Sequence, residues 1–301
     1  MKMASKWLDI TSKTILTQKP TDESFAIHFR DIGKSAGLGE TIVLVHGFTQ
    51  TGYSWDPLIE GKNGLIENGH RAIVVDLRGH GQSSWSAQGD YSRQSMVNDI
   101  HCVVDALKLE HFALIGLSMG GALSARLAAL LLDRVSSLTV VDWAPWPNGK
   151  PTKGVSRIGR VFQLRWDTFE EAVDMMHSFN PRRSRENVST RMKQQLRQAE
   201  DGWRWGTDPA FSKDASERAR ESPDVMWNNV RSIRCKTLML LGGESDVVPS
   251  SQADLMIQNL SKGKLVIIQG AGHSVIGDQP QRSKAAIMPF LRELNLSKSN
   301  L

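Results

Sequence analysis

The chain has 301 residues, of which 40% are hydrophobic and 23% are charged, as is ordinary for a soluble globular protein with a large core. Its length allows one or two domains. The formal net charge of +5 is a modest surplus, and no DNA- or RNA-binding motif accompanies it. Composition therefore predicts no nucleic-acid partner, although the surplus favours anionic small molecules.

No segment has the pattern of a targeting or membrane element. The first nine residues lack the apolar stretch of a signal peptide, and no apolar run approaches the roughly 18 residues of a membrane span. The two cysteines, Cys102 and Cys235, are too few for a disulfide framework. We therefore predict a cytoplasmic protein with no membrane partner.

Short apolar runs that end in turn residues predict the strands of a sheet. Such runs suit a parallel sheet that is buried on both faces. They are Thr41–Val45, Ala72–Val75, Ala113–Leu117, Leu138–Val141, Thr237–Leu241 and Leu265–Ile268.

Helical periodicity separates these runs in the first half of the chain. Apolar spacing predicts a helix over Gln94–Leu107, and the Ala/Leu-rich segment Gly121–Leu132 predicts a buried helix. A last helix is predicted over about Gln281–Leu294. Between Trp143 and Trp227 the chain is rich in Arg and Trp and lacks apolar strand runs, with helices predicted at Thr168–Ser178 and Glu186–Glu200. The prediction is an α/β core of residues 1–142 and 228–301, with a helical cap of residues 143–227 inserted between strands.

The segment Gly116-Leu117-Ser118-Met119-Gly120 matches the G-x-S-x-G nucleophile elbow. In this sharp strand-to-helix turn, small neighbours let the flanking chains approach, and a serine hydroxyl is exposed above the sheet. Helix N-terminal amides then face the serine, where negative charge develops. Ser118 is the predicted nucleophile.

His46-Gly47-Phe48 follows the Thr41–Val45 strand and predicts an oxyanion hole. The glycine allows a turn that faces the Phe48 amide towards the serine, where the Met119 amide is the second donor. His46 is predicted to hold loops together by hydrogen bonds rather than to transfer protons. It is also a tentative substrate-binding residue. The glycine-bearing loop that begins at Asp76 is interpreted as structural support.

Two later strand ends provide an acid and a base. Asp246 follows the Thr237–Leu241 run, with Glu244 as a nearby rival, and is the preferred acid to orient an imidazole. His273 follows Leu265–Ile268 in a glycine-rich loop and is the predicted general base. Because sites in open α/β sheets form at the carboxyl ends of the strands, these residues are expected to converge.

The order Ser118, Asp246, His273 and the motifs around these residues resemble the α/β-hydrolase superfamily. The resemblance runs from about residue 24 to residue 295, and it implies a mostly parallel sheet with helices on both faces under a helical cap. Some members of that superfamily carry the acid after the sixth strand, which makes Asp142 the alternative acid here. The fold hosts several chemistries, so the motifs specify the fold better than the substrate.

The resemblance implies a serine hydrolase that cleaves a carboxylic ester through an acyl-enzyme on Ser118. A ring-cleavage type of C–C bond hydrolase and a cofactor-free dioxygenase remain alternatives. The serine at the elbow argues against epoxide or haloalkane hydrolysis, for which the family uses aspartate. A non-enzymatic binding protein is disfavoured because no triad member is missing.

The predicted cap gives the only hints about the substrate. Trp143 and Trp146 are tentative substrate contacts, although tryptophans at such positions usually pack. Arginines of the cap favour a carboxylated substrate, but a solvated helix face is the simpler interpretation for most of them. They are Arg157, Arg160, Arg165, Arg182, Arg183, Arg185, Arg191 and Arg197.

We therefore expect a small or medium ester with an aromatic or acidic part. No ligand spacing for a metal is present, and no cofactor is implied. The predicted partner is a small-molecule substrate, and the predicted state is a monomer or homodimer.

Overall fold

The computed structural model describes residues 10–17, 25–33, 39–146, 152–213 and 222–298. Residues 1–9, on which the prediction of no signal peptide rests, lie outside this part of the chain. In the helices that are described, none is both long and apolar enough to cross a membrane.

An eight-stranded sheet forms the centre of the fold, in the order β1-β2-β4-β3-β5-β6-β9-β10. Strand β2 runs antiparallel to both of its neighbours, and the other adjacent pairs of this described sheet are parallel. The sheet is therefore mixed but mostly parallel. Its strands are β1 Ile10–Thr17, β2 Phe25–Ile32, β3 Thr41–Val45, β4 Arg71–Val75, β5 Phe112–Leu117, β6 Val135–Val141, β9 Lys236–Gly242 and β10 Gly263–Ile268.

Helices cover both faces of the sheet, as a parallel sheet requires. Neighbouring residues of one strand therefore face different cores: Val43 packs in a cluster with Leu123, whereas Leu44 packs in a cluster with Trp55 and Leu291. A 3₁₀ turn, Gly52–Trp55, precedes the first helix. The helices of the core are α1 Asp56–Ile59, α2 Arg93–Ala106, α3 Met119–Leu130, α8 Pro223–Ser232, α9 Ser250–Asn259, α10 Val275–Asp278 and α11 Pro280–Lys298.

The chain between β6 and α8 forms a separate group of elements, which we call the inserted segment (described residues 143–146 and 152–213). It contains four helices and two short strands among its described residues. They are α4 Lys153–Phe162, α5 Phe169–Phe179, α6 Arg185–Gln195, β7 Leu196–Ala199, β8 Gly202–Trp205 and α7 Ala210–Lys213.

The structure confirms the predicted α/β class and the six predicted strands, and it corrects the purely helical cap. The helix predicted over Glu186–Glu200 ends at Gln195, and the chain continues into an antiparallel hairpin of β7 and β8. Trp166 and Trp203 form a further bridge beside this hairpin. The alternation of arginine with apolar residues in the hairpin does not give a continuous apolar run, so the search for buried strands missed it.

Candidate active site

Ser118 occupies the sharp turn between β5 and α3. Its φ is positive, at 53°, and its ψ is −118°, a backbone conformation that is costly for a residue other than glycine. The Ser118 amide donates to the Val141 carbonyl over 2.9 Å, and the Ser118 carbonyl accepts from Ala122 over 3.1 Å. These two bonds fix the strained turn against the adjacent strand and the following helix.

Two glycines allow the elbow to pack tightly. A Cβ atom on Gly120 would lie 2.5 Å from the His46 carbonyl oxygen, so only glycine fits where α3 begins against β3. A Cβ atom on Gly47 would lie 3.3 Å from the Ser118 Cβ atom. The loop after β3 therefore lies directly against the nucleophile elbow.

The two amides predicted for the oxyanion hole flank this contact. Met119 is the first residue of α3, and Phe48 follows Gly47 in the loop after β3. Among the described residues, no protein group accepts a hydrogen bond from either amide. Phe48 is held in place by its ring, whose centroid lies 4.8 Å from that of Phe162 and 5.0 Å from that of Phe211.

His273 lies in the loop after β10 and is oriented by Asp142. Its Nδ1 atom lies 2.6 Å from Asp142 Oδ2, and the imidazole is largely buried. A carboxylate is an acceptor only, so this bond places the proton on Nδ1 and leaves Nε2 as the basic nitrogen. His273 and Ser118 both line the same cavity.

Asp142 follows β6 and is completely buried. Its Oδ1 atom accepts from the Gly242 amide over 3.0 Å, and its Oδ2 atom accepts from the Ser245 hydroxyl over 2.6 Å as well as from His273. These donors compensate the buried charge, which would otherwise be costly. Ser245 is a member of this network that the sequence analysis did not identify.

The preference for Asp246 as the partner of His273 is corrected by this geometry. The Asp246 carboxylate, about half exposed, binds the Arg157 guanidinium of the inserted segment at 2.5 and 3.1 Å. Glu244, the rival, binds Arg182 at 2.9 Å. Of the three acidic residues considered, Asp142, the alternative, is the one bonded to His273.

A cavity of about 210 Å³ lies over Ser118 and His273, between the core and the inserted segment. Most of its apolar lining comes from the inserted segment, and Phe48 and Leu117 of the core complete it. The apolar residues of the inserted segment are Ile158, Val161, Met176, Phe179, Val188, Met192 and Trp205. Its polar lining includes four of the arginines that the sequence analysis noted, which are Arg157, Arg182, Arg183 and Arg191.

The tentative substrate contacts His46, Trp143 and Trp146 lie outside the described lining of this cavity. His46 is completely buried: Nδ1 lies 2.8 Å from the Gly47 carbonyl, and Nε2 accepts from the Leu77 amide over 3.0 Å. Trp143 is buried in the core cluster. The substrate contact predicted for His46 is therefore replaced by the loop-holding role, and Trp205 is the tryptophan that reaches the cavity.

The loop that begins at Asp76 is held by hydrogen bonds of the Asp76 carboxylate to neighbouring loops. The Asp76 carboxylate accepts from the Gly52 and Gln82 amides over 2.7 and 3.1 Å and lies 2.8 Å from His28 Nδ1. Burial opposes ionisation, but these contacts hold the pKa of Asp76 below its ordinary value. In the same loop, burial lowers the pKa of His80 to about 3, with His46 adding to the effect, so His80 is neutral.

The sequence profile of the family described as "alpha/beta hydrolase fold" matches residues 40–280. This range contains the elbow, both amides predicted for the oxyanion hole, Asp142 and His273. The chain belongs to the alpha/beta hydrolase fold family.

Relatives of this alpha/beta hydrolase include esterases and lipases. The esterase Rv0045c of Mycobacterium tuberculosis is 26% identical over 81% of this chain and 80% of its own length. The human monoacylglycerol lipase ABHD6 is 26% identical over 93% of this chain and 82% of its own length. A crystal structure of E-2-(acetamidomethylene)succinate hydrolase superposes with a TM-score of 0.77, at 19% identity, over 94% of this chain and 99% of the other.

The described residues of this hydrolase include no group of three or more His, Cys, Asp or Glu side chains that could hold a metal ion. The site instead consists of a serine, an imidazole, a carboxylate and backbone amides. These groups can carry out nucleophilic attack, proton transfer and stabilisation of an oxyanion.

Proposed function

We propose that this protein is a carboxylesterase-type serine hydrolase, with Ser118 as nucleophile, His273 as general base and Asp142 as the acid that orients His273. The observation that carries the proposal is the 2.6 Å contact between His273 Nδ1 and the buried Asp142 carboxylate. His273 lines the same cavity as Ser118, which lies in the strained turn between β5 and α3. Its esterase and lipase relatives support an ester as the substrate class.

In the first half of the reaction, His273 Nε2 takes the Ser118 proton as Oγ attacks the ester carbonyl carbon. The carbonyl oxygen becomes negatively charged, and the Phe48 and Met119 amides donate to it. Asp142 stabilises the imidazolium that forms. His273 then protonates the leaving alcohol oxygen, and the acyl group remains on Ser118.

In the second half, His273 takes a proton from water, and the resulting hydroxide attacks the acyl-enzyme carbonyl carbon. The same two amides stabilise the second oxyanion. When this intermediate collapses, Ser118 Oγ leaves with the proton from His273, and the carboxylic acid product is released. The proton balance closes over one cycle.

We further propose that residues 143–227 form a cap domain over a core of residues 1–142 and 228–301. The apolar lining that α4, α5 and α6 contribute to the cavity supports this division. A small-molecule substrate would then reach Ser118 under the cap. We propose that the protein acts in the cytoplasm as a monomer or homodimer.

A panel of p-nitrophenyl esters of increasing acyl chain length tests the proposed activity. We expect turnover by the wild-type protein and a decrease in kcat of about 10³-fold or more in Ser118→Ala, because the nucleophile is removed. Folded wild-type protein that does not turn over any ester in the panel, and whose Ser118 resists acylation, would rule out the proposal.

A further inference from the structure

The wall of the catalytic cavity carries more cationic groups than the described carboxylates neutralise. Arg157 is paired with Asp246, and Arg182 with Glu244. Arg183 is paired with the completely buried Asp278 at 2.6 Å. The fourth arginine of the lining, Arg191, has no carboxylate partner within ion-pair distance in the described part of the chain.

The Arg191 side chain extends from α6 to the backbone of Gly277 and lies close to Arg183. A Cβ atom on Gly277 would lie 2.6 Å from Arg191 Nη1, so the absence of a side chain at Gly277 makes room for the guanidinium. Burial lowers the pKa of Arg191 to about 9, and Arg183 contributes to the decrease while Asp278 opposes it. Arg191 is therefore charged at neutral pH, at a cost that an anion in the cavity would offset.

A small recess of about 10 Å³ adjoins the cavity at Arg191. Trp55 also lines it, and the buried Trp55 Nε1–H has no hydrogen-bond acceptor among the described residues. Gln50 lines the recess as well, and its Oε1 atom accepts from the Gly47 amide over 3.3 Å, which leaves its Nε2 atom to donate. The recess has about the room that one oxygen atom the size of water needs.

We propose that Arg191 and Trp55 form a carboxylate-binding subsite beside Ser118, and that the substrate is an ester with a free carboxylate on its acyl or alcohol part. This inference rests on the proposed ester hydrolysis. A planar guanidinium matches the two oxygens of a carboxylate, and the Trp55 indole N–H matches the lone pair that remains on one of them. A neutral ester offers only uncharged acceptors at this position and forms no ion pair with Arg191.

Two pairs of esters test the subsite, since the carboxylate could lie on either side of the cleaved bond. In one pair, 4-acetoxybenzoate is compared with its methyl ester; in the other, phenyl hydrogen adipate is compared with phenyl methyl adipate. We expect the wild-type protein to prefer the free acid in at least one pair by about tenfold or more in kcat/KM, as expected for a charge-assisted bond.

Arg191→Gln is expected to abolish that preference by lowering kcat/KM for the free acid about tenfold or more relative to kcat/KM for the neutral ester. Arg185→Gln is the matched control, because Arg185 lies on the same helix but is exposed and pairs with Asp174. It should retain the preference. No preference for either acid in the wild-type protein, or an equal loss for acid and neutral ester in Arg191→Gln, would overturn the inference.

A binding measurement separates the subsite from the catalytic proposal. In the Ser118→Ala background, calorimetry should show binding of phenylacetate but not of phenylacetamide, and Arg191→Gln should weaken the former by about tenfold or more. Binding that depends on Arg191 without any ester turnover would refute the proposed function and keep the subsite. Ester turnover without such binding and without an acid preference would refute the subsite alone.

Thermal unfolding gives a readout that distinguishes ligand binding from a structural role. Arg191→Met removes a partly buried charge that has no described carboxylate partner, so the melting temperature of the free protein should be unchanged or higher. Phenylacetate should raise the melting temperature of the wild-type protein and not that of the variant. A strongly lowered melting temperature in both Arg191→Met and Arg191→Gln would assign Arg191 to the fold instead.

Discussion

Asp142 and Asp246 have the same side chain and differ in their surroundings. Asp142 is completely buried and accepts from Gly242, Ser245 and His273. Asp246 is about half exposed and pairs with a cationic side chain of the inserted segment. At the residue scale, the carboxylate of Asp142 orients an imidazole, whereas that of Asp246 forms a half-exposed ion pair in the lining of the cavity.

Replacing each aspartate should therefore have different effects. Asp142→Ala removes the group that fixes the His273 tautomer, and kcat should decrease about 10³- to 10⁴-fold. Asp246→Ala removes an exposed ion pair, and kcat should stay within about fivefold of the wild-type value. Steady-state kinetics on a p-nitrophenyl ester measures both, with circular dichroism to verify folding. The reverse ranking would restore Asp246 as the acid.

His80 makes the stability of the protein depend on pH. Its pKa is about 3 in the folded protein and near 6.5 in an unfolded chain, so the unfolded state binds the additional proton between these values. The free energy of unfolding should therefore decrease as pH falls below about 6.5, by up to about 1.4 kcal/mol per pH unit. His46, whose pKa burial also lowers, acts in the same direction.

Urea unfolding at pH values from 7.5 to 4.5 measures this dependence. His80→Gln keeps an acceptor for the Thr49 amide, which donates to His80 Nε2 over 3.4 Å, but cannot titrate. Its curve should be shallower than that of the wild type, although the variant is less stable overall. His111→Gln changes an exposed histidine and should leave the slope unchanged. Equal slopes in all three proteins would be inconsistent with a neutral, buried His80.

At the scale of elements, the junction of β5 with α3 depends on close backbone contact. A Cβ atom on Gly120 would overlap the Val45 and His46 carbonyl oxygens, both of which are backbone atoms that cannot turn away. The elbow and the loop after β3 would have to separate. Since the loop after β3 carries Phe48, the Phe48 amide would also move away from Met119, the other donor of the proposed oxyanion hole.

Gly120→Ala should lower the free energy of unfolding by about 1–3 kcal/mol or more and decrease kcat. Gly159→Ala is the matched control, because Gly159 is exposed in α4 and a Cβ atom there would meet no atom within 4 Å. Gly159→Ala should raise the free energy of unfolding by about 0.5–1 kcal/mol, since alanine has a higher helix propensity than glycine. Equal effects of the two substitutions on unfolding would contradict the packing account.

The sequence predicts elements well where burial is continuous along the chain. Thr41–Val45 was predicted with the bounds of β3, because all but its first residue are buried. Strand β1 has exposed polar residues and forms through its pairing with β2, which a search for apolar runs cannot detect. Glu200 and Asp201 connect β7 to β8, and the pair that Asp201 forms with Gly202, the first residue of β8, is a sequence signal for a hairpin.

The site was predictable to the extent that its residues follow strand ends. Ser118 and His273 were predicted from their loops, and the structure places both at one cavity. The choice between the two aspartates was not predictable, because it depends on β6 lying beside β9 and on Arg157, which is 89 residues from Asp246 in the chain. That Arg191 has no carboxylate partner among the described residues likewise depends on contacts across the fold.

At the scale of the whole molecule, the buried carboxylate of Asp278 connects the inserted segment to the loop that contains His273. Asp278 accepts from Arg183 over 2.6 Å and from Asn180 over 2.9 Å, both in the inserted segment. It also accepts over 2.9 Å from the amide of Gly272, which precedes His273. The Asp278 side chain therefore both attaches the inserted segment to the core and fixes the loop that contains His273.

Asp278→Ala should destabilise the protein by about 3–5 kcal/mol, because it leaves Arg183 buried and uncompensated. Limited trypsin digestion should then cut residues 153–213 faster. Glu244→Gln removes an exposed pair between the same two parts and should cost at most about 1 kcal/mol. If both variants unfold at the same urea concentration, the connection through Asp278 is not the one that holds the inserted segment.

The most direct test of the proposed chemistry is covalent labelling of the nucleophile. A fluorophosphonate should phosphorylate Ser118 stoichiometrically and abolish ester turnover, with the adduct located by mass spectrometry on the peptide that contains Gly116–Gly120. Asp142→Ala should be labelled much more slowly than Asp246→Ala, and Ser118→Ala not at all. Folded wild-type protein that leaves Ser118 unmodified, or that carries the adduct on a different residue, would contradict the assignment of Ser118.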